Sequence, residues 1–376
     1  MPLTRRALLG APLAAAAAAK PRPNIIFLFS DDHHFQCLGA NGNPNIRTPH
    51  LDRLAAEGVN FTNAIISTSQ CCPSRGIVLS GLETFQSGLI SNGQTSFRPG
   101  IGPSVVEQLR TSGYQTTLVG KWHIRPEPGV TGFSNAPLWL RGGGSPYRDP
   151  KLRRGLNGGD QTVNGHITDL FTDAAIQSIQ SARAPHLLWL AYNAPHTPWH
   201  AGPEYLAHYQ GKTEAELAPP LHPKGGSKFD WATYYGVITH LDAAVGRLVQ
   251  AVKSAGQWDN TAIFFMGDNG YMSGTRKWNG KVRHWDESVR IPFLAAGGLV
   301  KKSGNVSSPV ASIDLPATWL DLARVKPAYP LAGRSVASYL RTGRGKHQAA
   351  FSVWDDGRPE GLAVKVPVEP YRLVRT

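Results

Sequence analysis

Two cysteines, a proline and an arginine stand together in Cys71-Cys72-Pro73-Ser74-Arg75, directly before an apolar run. Pro73 is well placed to open a helix, because its missing N–H costs nothing in the first turn. Cys71 then lies at or near a helix N-terminus, where the backbone dipole favours negative charge, with Arg75 about a turn away. Such a position stabilises a reactive sulfur or an anionic group made from it. Taken alone, the pentapeptide fits a pair of buried cysteines beside a capping turn equally well.

Residue pairs that contain carboxylates, here called acidic pairs, follow two apolar runs of the chain. The runs cover residues 23–30 and 261–266; Asp31-Asp32 follows the first directly, and Asp268-Asn269, one carboxylate and one amide, follows the second after Gly267. The adjacent carboxylates Asp31 and Asp32 repel each other unless a proton or a cation lies between them, and a hard divalent metal supplies that charge. Asp31-Asp32 therefore predicts a metal site, with a solvated acidic turn as the alternative interpretation.

Basic side chains follow two further apolar runs. Residues 115–119 lead into Lys121 and His123, and residues 186–192 lead into a segment in which His196 stands between two prolines. Lys121 and His123 are two positions apart at a strand end, so they can point the same way. The prolines predict a rigid, extended segment around His196, which suits a fixed proton donor. For Lys121 and His123, two ordinary surface residues are the alternative.

Apolar runs alternate with helical patterns, and this alternation predicts the fold class: α/β, with a mostly parallel central sheet and helices on both faces. Continuous apolar runs are typical of strands buried on both faces. In such sheets ligands bind at the carboxyl edge. We place Cys71–Arg75 at a strand end as well, so we expect it to converge at that edge with the two acidic pairs, Lys121 with His123, and His196. Residues 124–165 lack periodicity and predict a long loop region with substrate contacts. The predicted helices begin at Pro49 and cover 103–112, 167–183, 231–254 and 313–322.

The chain of 376 residues is basic, because 39 Lys and Arg against 26 Asp and Glu give a formal net charge of +13. A basic surface favours anionic partners. The sequence has no basic run and no nucleic-acid motif, so nucleic acid is not expected, whereas a sulfated or otherwise anionic substrate fits the charge. A basic surface that serves solubility alone is the alternative. The three cysteines, Cys37, Cys71 and Cys72, do not form the pattern of a disulfide scaffold or a zinc site.

Residues 1–19 are predicted to be an export signal of the Tat type. Arg5-Arg6 precedes an alanine-rich stretch with a small-residue cleavage site near residues 17–19. The apolar stretch is too short to remain as a membrane span. We therefore expect a bacterial protein that is periplasmic or extracellular and has no membrane span in its mature chain. An amphipathic or disordered N-terminus is the alternative.

The cysteine pentapeptide and its continuation to Leu79-Ser80-Gly81 resemble the signature of the type I sulfatases, which belong to the alkaline phosphatase superfamily. That signature reads Cys or Ser, any residue, Pro-Ser-Arg, three residues, and Leu-Thr/Ser-Gly, so its key position falls on Cys71. In the family, a formylglycine-generating enzyme oxidises this cysteine to formylglycine, an aldehyde that becomes hydrated. The resemblance extends over about residues 24–300 and implies the same maturation for Cys71.

The resemblance also implies a metal centre with a single Ca²⁺ or Mg²⁺. An all-oxygen set of ligands suits such a hard cation and not zinc. The implied ligands are Asp31, Asp32, Asp268, Asn269 and the hydrated aldehyde at position 71.

Catalytic and substrate-binding roles follow from the same resemblance. Arg75 would hold the diol at position 71, and the metal would lower the pKa of the attacking hydroxyl. His123 would take the proton of the second hydroxyl, which expels sulfate and restores the aldehyde. His196 would protonate the leaving alcohol, and Lys121 and Lys281 would bind the sulfate oxygens.

Lys281 is chosen over Lys277 by spacing. In the family pattern, the lysine stands five residues before an acidic residue that leads into Arg-x-Pro. Here that acidic residue is Asp286, which precedes Arg290-Ile291-Pro292.

The sequence departs from the family pattern in two places. Residues 274–277 read Gly-Thr-Arg-Lys where many members have Gly-Glu-His-Gly, so we expect a different and more positive substrate pocket. Residues 371–376 resemble the strand that opens the family's small C-terminal subdomain, and the chain stops inside it, as in a short gene or a fragment. We therefore expect a signal (1–19), a sulfatase catalytic domain (20–345) and an incomplete subdomain (346–376) with an exposed sheet edge.

The expected activity is hydrolysis of a sulfate ester in an anionic substrate, either a sulfated glycan or a smaller aryl or alkyl sulfate. A phosphodiesterase or phosphonate hydrolase of the same superfamily would share the metal ligands. A non-catalytic binder of sulfated polymers would use the same polar groups without turnover. A cysteine hydrolase with Cys71 as thiolate and His123 or His196 as base leaves the acidic pairs unexplained.

Overall fold

The computed structural model describes residues 21–93, 96–183, 185–222, 229–354, 363–366 and 372–375. The predicted export signal, residues 1–19, lies outside these residues. Within the described ranges, no helix combines the length and the apolar character that crossing a membrane requires.

Strands and helices alternate along the described chain. The strands are β1 (Asn24–Ser30), β2 (Val59–Phe61), β3 (Ala64–Ile65), β4 (Gln115–Lys121), β5 (Asn135–Leu140), β6 (Lys151–Arg153), β7 (Asp160–Thr162), β8 (His186–Ala191), β9 (Thr261–Gly267), β10 (Met272–Ser273), β11 (Asn279–Gly280), β12 (Phe293–Ala296), β13 (Gly304–Val306), β14 (Val310–Ala311), β15 (Ser352–Trp354), β16 (Ala363–Val366) and β17 (Arg372–Arg375). The α-helices are α1 (Pro49–Glu57), α2 (Cys71–Ser80), α3 (Thr84–Ser87), α4 (Val105–Thr111), α5 (Ile167–Ser181), α6 (Pro203–Leu206), α7 (Glu214–Leu217), α8 (Trp231–Ser254), α9 (Asp286–Val289), α10 (Asp314–Ala323) and α11 (Ala337–Thr342).

The predicted α/β fold with a mostly parallel central sheet is confirmed. Ten of the described strands form one sheet in the order β13-β2-β12-β9-β1-β8-β4-β5-β6-β7. The central strand β1 runs parallel to both β9 and β8, and β8 runs parallel to β4. Antiparallel pairing occurs where β12 lies between β9 and β2, and where β6 lies between β5 and β7.

Helices cover both faces of this sheet because β1 is apolar on both sides. Ile25, Phe27 and Phe29 pack into one core layer together with residues of α2, α4 and α10. Ile26 and Leu28 pack into the opposite layer with residues of α1, α5 and α8. Successive side chains of a strand point to opposite faces, so a strand buried on both faces reads as a continuous apolar run.

The prediction of a long loop region over residues 124–165 is wrong, because this stretch contributes β5, β6 and β7 to the sheet. Pro137 lies inside β5, where a proline normally argues against a strand. The pairing of β5 with β4 shifts register there, since Thr117 is opposite Asn135 and Val119 is opposite Leu138. The extra residue in β5 lets the sheet accommodate a proline that cannot donate a hydrogen bond.

Near the C-terminus, β15, β16 and β17 form a small antiparallel sheet in that order. Sequence comparison with the family marked only residues 371–376 as a strand of a small subdomain. The strands of this sheet begin earlier, at Ser352, shortly after the predicted domain boundary at residue 346.

His186 at the start of β8 predicts a pH-dependent stability. Both ring nitrogens are buried and have no hydrogen-bond partner among the described residues, and burial lowers the pKa of this histidine to about 4. An unfolded histidine has a pKa of about 6.5, so between these values the unfolded chain binds the extra proton and stability falls as the pH falls.

We expect His186→Leu to remove about 2 kcal/mol of the stability loss between pH 7.5 and pH 5, measured by urea unfolding at both values. An unchanged pH dependence in the variant would contradict this assignment.

Candidate active site

The chain turns sharply after β1 and places two buried carboxylates at the carboxyl edge of the sheet. The backbone N–H of Asp31 donates to the Ala194 carbonyl, 3.0 Å away, beyond the end of β8. Asp32 has a positive φ of 59°, which is uncommon for a residue with a side chain. Its backbone N–H donates to Oδ1 of Asp268 at 3.1 Å, so the turn links the ends of β1 and β9.

The end of β9 supplies the second acidic pair. Ser30 lies opposite Gly267 in the parallel register, and the N–H of Asp268 donates to the Ser30 carbonyl at 2.8 Å. The Asn269 amide donates to Oδ1 of Asp32 at 2.6 Å. Its Oδ1 is buried and has no hydrogen-bond partner among the described residues. The residue that contacts Asp32 therefore has an amide oxygen without a donor, and such an oxygen can serve as a ligand of a hard cation.

Cys71 is the first residue of α2, and Gln70 before it has extended backbone angles. Two expectations need correction here. The Cys71 motif follows a loop and does not end a strand of the main sheet, and Pro73 is the third helical residue instead of opening the helix. The proline is still tolerated, because backbone N–H groups of the first turn have no intrahelical acceptor.

The sulfur of Cys71 lies within the acidic cluster. Sγ is 3.5 Å from Oδ1 of Asp31 and 2.6 Å from Nζ of Lys281. The ammonium of Lys281 also lies 2.5 Å from Oδ1 of Asp32. Lys277, the alternative lysine, has an exposed side chain. The structure thus brings Lys281, and not Lys277, into the cluster.

Arg75 and Lys121 provide two further buried cations. Nη2 of Arg75 lies 2.8 Å from Oδ2 of Asp268 and 3.4 Å from Oδ2 of Asp31. Nη1 of Arg75 donates to the Lys121 carbonyl at 2.8 Å. Lys121 is the last residue of β4, and its ammonium pairs with Oδ2 of Asp31. Arg75 therefore joins α2 to the ends of three parallel strands.

The two predicted catalytic histidines border the cluster. His123 has a positive φ of 61°, so the chain leaves the strand geometry just after β4, and its Nδ1 is buried without a partner among the described residues. Nε2 of His196 lies 3.8 Å from Oδ2 of Asp32. The expectation of an extended segment at His196 is wrong, because its N–H closes a turn by donating to the Asn193 carbonyl at 2.8 Å.

Two supporting features escaped the sequence analysis. A Cβ added to Gly143 or Gly144 would lie 2.6 Å from the ring of His123 or 3.1 Å from the ring of His196, respectively. The run of three glycines at 142–144 is the signal that could have indicated this close approach. The hydroxyl of Tyr234 in α8 donates to the Asp32 carbonyl at 2.6 Å, and no sequence pattern indicated that contact.

Burial and neighbouring charges shift the pKa values of the cluster in different directions. Burial raises the pKa of Asp31, but the nearby cations, Lys121 first, outweigh it and hold that pKa well below its ordinary value. Burial and the charge of Asp31 raise the pKa of Asp268. Burial also raises the pKa of the Cys71 thiol to about 12, whereas burial and the charge of Lys121 lower the pKa of His123 to about 3. Cys71 is therefore a neutral thiol and His123 a neutral imidazole at neutral pH.

The residues of the cluster and its border differ in how far they reach solvent. The side chains of Asp31, Asp268, Arg75 and Lys121 are at most 1% exposed. The Lys281 side chain is 15% exposed and that of His196 is 22% exposed. A ligand would therefore approach past Lys281 and His196.

Comparison with known proteins connects this geometry to a family. The family model named Sulfatase matches residues 23–325. An ulvan-active sulfatase of Formosa agariphila is 28% identical over 376 residues, covering 94% of this chain and 71% of that protein. An N-acetylglucosamine-6-O-sulfatase of Bacteroides thetaiotaomicron is 25% identical over 419 residues, covering 88% of this chain and 74% of that protein.

A solved structure agrees with these sequence relatives. The crystal structure of Ps i-CgsB in complex with k-i-k-neocarrahexaose superposes with a TM-score of 0.77 and 26% identity, covering 94% of this chain and 86% of that one. The family match spans most of the chain and includes Cys71 and both acidic pairs. This chain belongs to the sulfatase family and is a sulfuric ester hydrolase.

Proposed function

We propose that this enzyme removes sulfate from a sulfated glycan, using a formylglycine made from Cys71 and one divalent metal ion, Ca²⁺ or Mg²⁺. The observation that carries the proposal is the position of Sγ of Cys71, 3.5 Å from Oδ1 of Asp31 and 2.6 Å from Nζ of Lys281, inside a buried set of charges. In the mature enzyme, an oxygen of the hydrated aldehyde would stand where Sγ stands. Since burial raises the pKa of the thiol to about 12, unmodified Cys71 is a poor nucleophile.

The residues present fit the proposed metal. Asp31, Asp32 and Asp268 offer carboxylate oxygens, and Oδ1 of Asn269 is a buried acceptor without a partner among the described residues. A buried acceptor without a donor is costly, and a cation in contact with it would remove that cost. Oxygen ligands of this kind favour Ca²⁺ or Mg²⁺ over a transition metal.

The charge balance of the cluster suits an anionic substrate. Three carboxylates face three cations, which are Arg75, Lys121 and Lys281. The set is neutral overall, so a divalent ion would leave it with an excess of two positive charges. That excess would attract a sulfate ester and stabilise the charge that develops on its oxygens during transfer.

When bound, the metal and the hydrated aldehyde would supply an activated oxygen nucleophile next to the substrate sulfur. The chain's own residues then hold the reactants and move protons. Arg75 holds the position-71 group against Asp268, and Lys121 and Lys281 bind sulfate oxygens. His123 is neutral, because burial and the charge of Lys121 lower its pKa to about 3, so it is ready to accept a proton.

His196 is placed to act as the acid for the leaving alcohol. Its Nδ1 lies 2.5 Å from the Thr197 carbonyl, which can only accept a hydrogen bond, so Nδ1 carries a proton. Nε2, which lies 3.8 Å from Oδ2 of Asp32, can then donate a proton only when the ring carries two protons. The side chain is 22% exposed, so a substrate can reach the ring.

A glycan substrate is supported by the relatives and by charge. The similar proteins are named for ulvan and for N-acetylglucosamine 6-O-sulfate, and the solved structure holds a neocarrahexaose. The chain's formal charge of +13 suits a polyanionic partner. We further propose that a formylglycine-generating enzyme matures Cys71 and that residues 1–19 direct Tat-type export to the periplasm or the exterior.

The catalytic domain is proposed to cover residues 20–345, followed by a small subdomain over 346–376. The residues assigned to the site lie between Asp31 and Lys281, all within the proposed catalytic domain.

Peptide mass spectrometry tests the maturation of Cys71. Co-expression with a formylglycine-generating enzyme should lower the mass of the peptide at Cys71 by about 18 Da, as thiol becomes aldehyde. Cys72 lies in the same peptide, so fragmentation should assign the change to Cys71 alone. An intact thiol at Cys71, together with no sulfate release from any ester, would contradict the proposal.

Metal binding tests the oxygen ligands. Asn269→Ala should weaken the affinity for Ca²⁺ at least about tenfold, or about 1.4 kcal/mol, in isothermal titration calorimetry. Asn305→Ala, which changes an exposed asparagine of the edge strand β13, should leave the affinity unchanged. Equal affinities in both variants would remove Asn269 from the proposed ligand set.

Steady-state kinetics test the choice of lysine. Lys281→Ala should lower kcat/KM for 4-methylumbelliferyl sulfate by about 10²–10³-fold, because a preorganised charge beside the reacting group is lost. The matched variant Lys277→Ala removes an exposed lysine nearby in sequence and should change kcat/KM less than about threefold. A reversed order of effects would overturn the assignment of Lys281.

A further inference from the structure

Lys281 lies in a loop, residues 274–285, whose other side chains include tryptophans and further cations. The loop contains Arg276, Trp278 and Arg283 and ends at Trp285, and it has no carboxylate. It falls on the stretch where the sequence departs from the family pattern. The residues on either side of Lys281 in this loop are therefore rich in aromatic and cationic groups.

The tryptophans of this loop differ from the others in the described chain. Trp278 is 38% exposed and Trp285 is 36% exposed, and no other tryptophan whose side chain the structure describes is exposed to this extent. Several others are fully buried, including Trp122, Trp189 and Trp319. Exposing a large apolar ring to water is unfavourable, so two exposed rings in one loop indicate a surface that binds a ligand.

Two cation–π pairs hold these rings in a nested arrangement. The guanidinium of Arg283 lies 3.7 Å from the ring centroid of Trp278, and that of Arg276 lies 4.8 Å from the ring of Trp285. In the sequence, the pair Trp278–Arg283 falls between the two members of the pair Arg276–Trp285. Lys281 stands between Trp278 and Arg283. Each stacked guanidinium covers part of one ring. Arg276 is exposed, whereas Arg283 is partly buried and its Nη1 donates to the Val282 carbonyl at 2.7 Å.

Only a short length of chain separates the nested pairs from the lysine at the reacting centre. Nζ of Lys281 is 2.6 Å from Sγ of Cys71. Trp278 is three residues from Lys281 and Trp285 is four residues away, so their Cα atoms lie within about 11 Å and 14 Å of the Lys281 Cα. These distances are upper limits, and they allow the pairs to reach one or two sugar rings next to the sugar whose sulfate is cleaved.

We infer that Trp278, Trp285, Arg276 and Arg283 form a platform that binds an anionic sugar adjacent to the sulfated sugar in the catalytic pocket. The inference rests on the proposed sulfatase function and narrows its substrate to an oligosaccharide with acidic groups on neighbouring sugars. The rings offer apolar surface to the face of a sugar, and the guanidinium groups offer paired N–H donors to its sulfate or carboxylate. A small aryl sulfate would fill the pocket and leave the platform empty.

Calorimetric binding in a Cys71→Ala background tests the platform without turnover. The probes are sulfated hexasaccharides from ulvan and carrageenan, with glucose 6-sulfate as the single-sugar reference. We expect at least one hexasaccharide to bind about tenfold or more tightly than the reference, and Trp278→Ala or Arg283→Ala to remove that advantage. Trp278→Phe keeps an aromatic face and should retain most of the affinity, which separates loss of stacking from misfolding.

Lys253→Ala is the matched control, because Lys253 forms a similar surface pair, 4.4 Å from the ring of Trp258. It lies 19 residues after Tyr234 in α8, which places it about 28 Å along the helix axis from the contact with Asp32. This variant should bind hexasaccharides like the parent protein.

The outcomes separate the platform from the proposed activity. Hexasaccharides that bind no better than glucose 6-sulfate, or that bind Trp278→Ala as tightly as the parent, would overturn the platform even if the matured enzyme hydrolyses 4-methylumbelliferyl sulfate. Platform-dependent binding supports the inference even if the matured enzyme releases no sulfate from any ester, a result that would refute the proposed function alone.

Discussion

A network of buried ion pairs holds together the edge of the sheet that carries the active site. Arg75 donates to both Asp31 and Asp268, so one guanidinium links a helix to the ends of two parallel strands. Burying a carboxylate without a partner is expensive, and removal of one member of a buried pair costs about 3–5 kcal/mol. The strands and α2 therefore have to meet in one arrangement, and the position of Cys71 follows from that arrangement. The same pairs set the charge that any substrate encounters.

The register of the sheet makes this set of pairs possible. Asp31 and Asp268 are more than 230 residues apart in sequence, yet Ser30 lies directly opposite Gly267 in parallel strands. Each strand has a continuous apolar run followed at once by polar residues, and this pattern can be read without a structure. The sequence therefore predicted the central strands, the acidic pairs and their common edge. The spacing to Asp286 also identified Lys281, although only through the resemblance to the family.

Other parts of the site depend on contacts that no local pattern encodes. Strand β5 has a proline in its interior, and only the bulge against β4 makes room for it. The turn at His196 and the close packing of Gly143 on His123 arise between segments that are distant in sequence. The hydroxyl of Tyr234 reaches Asp32 because α8 packs on the sheet, and helical periodicity predicts the packing but not that contact. Periodicity predicts which face of an element is buried, whereas tertiary packing decides which polar atoms meet.

The loop that carries Lys281 has a consequence for how this enzyme can diversify. The lysine that contacts Cys71 and the exposed Trp278 and Trp285 share one short segment, residues 274–285. An insertion or deletion in that segment would displace the ammonium from the reacting centre while altering the surface beside it. Descendants of this chain can therefore change the segment by single substitutions far more readily than by changes of length. The length of this loop should be inherited more faithfully than its sequence.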